Sequence, residues 1–111
     1  MKRNFKVYIN DILESIEKIE GYIKGVNEFG FKKDMQLQDA ILRRLEVIGE
    51  AVKNIPQSFR DKYLKVPWKE IAGMRDVLIH GYFGVNIERV WKVVKEDIPR
   101  LKNNLLKINI K

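Results

Sequence analysis

Asn86-Ile87-Glu88-Arg89-Val90-Trp91-Lys92-Val93-Val94-Lys95-Glu96-Asp97-Ile98-Pro99-Arg100-Leu101-Lys102-Asn103-Asn104-Leu105-Leu106-Lys107-Ile108 carries the most regular apolar pattern in the chain. Ile87, Trp91, Val94, Ile98, Leu101, Leu105 and Ile108 advance by 4, 3, 4, 3, 4 and 3 residues, which lines them along one side of an α-helix. Asn86 is placed to cap its first turn. The phase holds through Pro99, so a kink rather than a break is expected there.

The same rhythm recurs upstream. Phe5, Tyr8, Ile12, Ile16, Ile19 and Ile23 form one stripe. Leu37, Ile41, Leu45, Ile48, Val52 and Ile55 form a second, with Asp34 as its expected N-cap and Pro56 as its stop. Gly25 to Phe31, holding two glycines and an asparagine, reads as the loop between them. A short helix is expected over Ser58 to Tyr63. Pro67 then suits the first turn of a helix from about Trp68 to about His80, with Gly81 and Gly84 as its exit. Strand patterning is weak throughout. Four main helices with short connections and one-sided stripes predict an all-α fold: an antiparallel four-helix bundle with a short extra helix.

At 111 residues the chain is expected to form one domain, spanning 1–111. Hydrophobic residues at 45% and charged residues at 33% supply a real core and exclude a disordered chain. No apolar run is long enough to span a membrane. Met1 to Lys6 runs directly into a charged amphipathic segment and lacks the apolar core of a secretory leader, so a cytoplasmic protein is expected. The absence of cysteine excludes disulfides, thiolate metal sites and cysteine nucleophiles. The single histidine, His80, excludes sites built on two imidazoles.

The formal charge is +7. More than half the surplus falls after Tyr82, where Arg89, Lys92, Lys95, Arg100, Lys102, Lys107 and Lys111 face only Glu88, Glu96 and Asp97. Such a field favours encounter with polyanions such as RNA, and it also simply keeps a small protein soluble.

One segment departs from the plain amphipathic pattern: Met74-Arg75-Asp76-Val77-Leu78-Ile79-His80-Gly81-Tyr82. Arg75 falls in the stripe Trp68, Ile71, Arg75, Leu78, Tyr82, where an apolar residue is expected. A guanidinium drawn toward a packed face needs an anion. Glu46 or Glu50 would serve as a structural partner, and a bound phosphate would serve as a functional one. His80 has the one side chain that ordinarily titrates near neutrality, and Asp76, four residues earlier, shares its helical face. Arg75 and His80 are five residues apart, rotated by roughly 140° in a regular helix, so they share no face there. They converge only if the helix unwinds at Gly81 or if two copies of the segment meet. A homodimer follows from that chemistry, and a small bundle also gains core by sharing an apolar flank.

The spacing Arg75-x4-His80-x-Tyr82 resembles the Arg-x4–6-His-x-Tyr signature of HEPN-domain proteins. Leu42-Arg43-Arg44-Leu45-Glu46-Val47-Ile48-Gly49-Glu50-Ala51 resembles the HepT-like branch of that family, as do Pro67-Trp68-Lys69-Glu70-Ile71-Ala72-Gly73-Met74-Arg75-Asp76, Val90-Trp91 and Asp97-Ile98-Pro99-Arg100-Leu101. Together these blocks extend the likeness from about Tyr8 to Leu105. The resemblance implies the toxin of a toxin–antitoxin pair, a metal-independent ribonuclease that acts as a homodimer and needs no cofactor. It implies Arg75 and His80 as the catalytic pair in a dimer cleft, beside Tyr82; Asp76 joins them as a supporting residue from its place one turn before His80. It further implies an MntA-like nucleotidyltransferase antitoxin that silences the toxin by transferring AMP from ATP to Tyr82.

The residues carry that chemistry independently of the family. RNA is cut without metal when its own 2′-OH attacks the adjacent phosphorus, which needs a proton carrier near neutral pH and a cation for the charge growing on phosphate. His80 fits the first role and Arg75 the second, with Asp76 able to orient the imidazole. Arg89, Lys92 and Lys95 are candidates to hold flanking phosphates, or form a solvated face. Tyr82 has three readings: contact with RNA, the modified hydroxyl, or a packed ring whose OH is satisfied. Gly49 and Gly73 read as close-packing sites within helices, and Trp68 and Trp91 as core or interface anchors. Two other classes stand beside the ribonuclease: a noncatalytic nucleotide- or partner-binding subunit of a nucleotidyltransferase, and a plain helical dimerisation module.

Overall fold

Asp34 links two helices at once: its backbone N–H closes one by donating to Phe31 O, and its side chain caps the next by accepting from Leu37 N at 3.0 Å. A computed structural model describes residues 5–79 and 86–108, with 74–79 described as backbone alone. Along it run α1 (Phe5–Ile23), α2 (Glu28–Lys33), α3 (Met35–Lys53), α4 (Gln57–Arg60), α5 (Trp68–Ile79), α6 (Ile87–Lys92) and α7 (Ile98–Leu106). A π-helical turn, Val93–Asp97, joins α6 to α7. Among the described residues there is no strand, and the all-α bundle expected from the stripes is what forms.

The core follows the periodicity closely. Ile9, Ile12, Ile16 and Ile19 of α1 are buried, as are Ile41, Leu45, Ile48 and Val52 of α3. Val90, Val93, Val94, Ile98, Leu101 and Leu105 complete it from the C-terminal rod. Each such aliphatic side chain contributes about 1.5–3 kcal/mol through removal from water. Helix α3 lies between α1 and α5, while α7 packs on α1 and α2 bridges α3 and α6. Lys102 on α7 reaches Glu20 on α1 at 2.9 Å, and Lys32 on α2 reaches Glu88 on α6 at 3.2 Å.

Three local features differ from the sequence expectation. The segment read as a loop over Gly25 to Phe31 contains most of α2. Gly25, at φ 77°, supplies the left-handed turn that leaves α1, and Asn27 then caps α2 by accepting from Gly30 N at 2.8 Å. Phe31 is fully buried, and the Gln38 side-chain amide donates to the Lys32 carbonyl and to the Phe31 carbonyl, which it shares with Asp34 N–H. Tertiary packing thus sustains a helix too short to stand alone.

The short helix expected over Ser58 to Tyr63 is α4, which starts one residue earlier and ends at Arg60. The expected kink at Pro99 is a π turn just before it, in which Ile98 N–H donates to Val93 O, five residues back. Proline lacks the N–H and crowds the carbonyl four residues before it, and a widened turn relieves that crowding. Val90 and Val93 are accordingly buried, while Ile87 and Trp91 are half-buried. Trp91 lies on Phe31, with ring centroids 5.1 Å apart, and covers α2.

Candidate active site

Helix α5 enters the site from a firmly held start. Ile71 N–H donates to Pro67 O, closing the first turn behind the proline. The indole N–H of Trp68 donates to the Tyr63 carbonyl at 3.1 Å and to the Arg60 carbonyl at 3.2 Å. Phe59 meets Phe5 at 4.3 Å and Tyr63 at 4.9 Å between ring centroids, and presents its ring to Trp68 at 6.5 Å. Trp68 is thereby an anchor of the core, one of the two roles expected for it.

From that anchor the helical backbone continues through Arg75 and Asp76 to Ile79. The structure therefore places these two residues on α5, one turn beyond Ile71, on the helix that packs against α3. His80 and Tyr82 lie outside the described residues. The two carboxylates considered as partners for Arg75 each face another cation. Glu46 stands 3.9 Å from Arg43, and Glu50 stands 3.5 Å from Lys53. Both line an open groove of about 430 Å³ between α1 and α3, together with Tyr8, Asp11 and Arg43.

Of the two glycines read as close-packing sites, Gly49 fits and Gly73 does not. A Cβ on Gly49 would stand 3.5 Å from Ile71 O, whereas one on Gly73 would meet nothing within 4 Å among the described residues.

Arg89, Lys92 and Lys95 are exposed, the first two on α6 and the third on the π turn. Asn86 caps α6 as expected, accepting from Arg89 N at 3.1 Å. Lys95 Nζ lies 5.5 Å from the Trp91 ring centroid, within cation–π range. Helix α6 leans on α2 and α5 leans on α3, so these cations and Arg75 belong to differently packed rods. Among the described residues no group of three or more carboxylate or imidazole side chains could hold a metal ion. None of the described helices is long and apolar enough to cross a membrane.

A family model described as ribonuclease HepT-like matches residues 12–108. The chain is 56% identical over 108 residues to the "Gamma-glutamylcyclotransferase and putative RNase MJ0434" of Methanocaldococcus jannaschii, covering 97% of this chain and 49% of that protein. It thus spans about half of that relative. It is 49% identical to the "Probable ribonuclease HepT" of Thermococcus cleftensis, covering 97% of this chain and 98% of the relative. With the "Putative RNase TTE0752" of Caldanaerobacter subterraneus it shares 50% identity over 91% of this chain and 90% of the other. No solved structure matches this chain significantly.

Proposed function

Because the chain belongs to the HepT-like family, we propose that it is an RNA endonuclease. The observation that carries the reading is the match over residues 12–108 to a ribonuclease model, in a chain whose Arg75, His80 and Tyr82 resemble the family signature. Relatives matched over nearly their whole length are named as ribonucleases, which supports the same reading.

In the proposed reaction the 2′-OH of one nucleotide attacks the adjacent phosphorus, losing its proton to a base. The bond from phosphorus to the 5′-oxygen breaks, and that oxygen takes up a proton. The products are a 2′,3′-cyclic phosphate and a 5′-hydroxyl, and no metal is needed. His80 carries a proton in this step, and two copies in a homodimer divide the base and acid tasks between them. The Arg75 guanidinium steadies the charge on the phosphate oxygens. Asp76, on the same helix, orients the imidazole. Arg89, Lys92 and Lys95, all exposed, hold flanking phosphates.

The proposed setting is a cytoplasmic toxin–antitoxin pair. An MntA-like nucleotidyltransferase transfers AMP from ATP to the Tyr82 hydroxyl with release of pyrophosphate, adding bulk and negative charge beside the catalytic pair. Cleavage of total tRNA and of a mixed-sequence RNA in EDTA, by wild type and by His80→Ala, tests the core of the reading. Fragments ending in 2′,3′-cyclic phosphate from wild type alone are expected. Intact RNA after incubation with folded, dimeric and unmodified wild type would instead favour the noncatalytic nucleotide- or partner-binding subunit.

A further inference from the structure

The connection from α4 into α5 gathers Arg60, Lys65 and Lys69 along one open groove of about 610 Å³. Glu70 is its acidic lining residue, against those three cations. Among the described residues, none of the three cations has a carboxylate in ion-pair range. Lys18, Lys32, Lys53 and Lys102, by contrast, are each held by a glutamate. Arg60 spends its Nε on the Ile55 carbonyl at 3.0 Å, which fixes the guanidinium at the groove. Leu64, 79% exposed, adds an apolar surface to the same groove.

The groove also points along the helix that carries Arg75. Positions 69, 72 and 76 step by 3 and 4 along α5 and so fall on one side of it. Lys69 and Asp76 are about 10 Å apart along the axis, at the rise of an α-helix. A strand lying in the groove would thus reach the signature segment within a few nucleotides.

We propose that this groove binds the backbone of single-stranded RNA, with Lys65 and Lys69 neutralising phosphates that flank the scissile one. The inference rests on the ribonuclease reading. Cations without a carboxylate partner among the described residues, beside an exposed apolar side chain, suit a nucleotide strand, which offers phosphates and base faces together. An acidic protein segment would use the cations and leave Leu64 idle. The separation of Arg60, Lys65 and Lys69 along the connection hides the cluster in the sequence, where neither a charge run nor a helical stripe marks it.

Binding of a fluorescent single-stranded RNA to the His80→Ala chain, followed by anisotropy over a salt series, tests the proposal. Lys65→Gln/Lys69→Gln is compared with Lys18→Gln/Lys24→Gln, which removes the same charge from α1 and its exit. All four positions are exposed, so folding is expected to survive in both. Each lost phosphate contact lowers the slope of log K against log salt by about 0.7 for a single strand, so the groove variant should lose about 1.4 and bind roughly tenfold more weakly at low salt. The α1 control should keep the parental slope.

Equal slopes and affinities for the two variants would overturn the groove site, while wild-type cleavage in the same preparation would leave the ribonuclease reading standing. Absence of both cleavage and RNA binding in wild type would remove the ribonuclease reading and the groove with it. A groove variant that keeps its RNA affinity and loses affinity for polyglutamate would reassign the groove to an acidic protein.

Discussion

Gly49 on α3 stands against the backbone of α5: a Cβ built on it would lie 3.5 Å from Ile71 O and 3.7 Å from Ala72 O. That close approach sets the seat of α5 on α3, one turn before Arg75 and Asp76. Both distances are ordinary van der Waals contacts, so the position has room for a methyl group and little more.

Gly49→Ala should therefore stabilise the protein. Alanine removes the backbone entropy cost of glycine inside a helix, worth about 0.5–1 kcal/mol. Gly49→Leu should destabilise it by about 1–3 kcal/mol, because the atoms its side chain meets are backbone carbonyls that cannot swing aside. Chemical denaturation of the three proteins checks both signs. A leucine variant as stable as wild type would contradict the close approach.

Trp68→Phe puts a smaller phenyl ring in place of the indole and removes the N–H shared by the Arg60 and Tyr63 carbonyls. Each carbonyl keeps a backbone donor, Tyr63 N–H for Arg60 O and Val66 N–H for Tyr63 O, so losing the shared indole N–H should cost about 0.5–1.5 kcal/mol, to which the smaller ring adds a packing loss. The same substitution should loosen the start of α5, read as faster hydrogen exchange at the Ile71 amide. Unchanged stability and unchanged exchange together would show that the bonds hold nothing in place.

Lys32 titrates above its usual value of 10.5, first because its ammonium hydrogen-bonds to Glu88 and then because of that carboxylate's charge, with Glu28 adding to both effects. A lysine whose folded pKa is raised gives a contribution that is complete below its unfolded value and is lost as pH rises through the folded one. The link between α2 and α6 should accordingly weaken in strong alkali and hold through neutrality. Both partners are exposed, so the effect on stability should be small. NMR titration of the Lys32 side chain should show an elevated midpoint that falls toward the free-lysine value in Glu88→Gln.

Arg75→Lys retains the charge and discards the planar fork that matches phosphate oxygens in pairs. Under the proposed function it should lower the cleavage rate by about 10²-fold or more while leaving helicity intact, in line with the loss of one transition-state donor. Single-turnover cleavage alongside circular dichroism checks this. Full activity in the lysine variant would reduce the role of position 75 to that of a point charge.

Local chemistry by itself determined much of this protein. The stripes of α1, α3 and the C-terminal rod, the caps at Asp34 and Asn86, and the breaks at Pro56 and Pro67 rest on contacts within a few residues, and periodicity records such contacts directly. Arg75, His80 and Tyr82 stood out in the sequence through a resemblance to a family signature, carried together with the blocks around Gly49 and Trp68. Other features depend on neighbours far along the chain. Helix α2 holds because Phe31 is buried and packs on Trp91, and because Gln38 closes its end. The π turn widens where Pro99 and the buried faces of two helical segments must be reconciled. The groove of Arg60, Lys65 and Lys69 is lined by the connecting segment and α5 together, which the Trp68 indole joins. A periodic pattern states which side of a helix avoids water, whereas packing decides what that side meets and which cations come to share one groove.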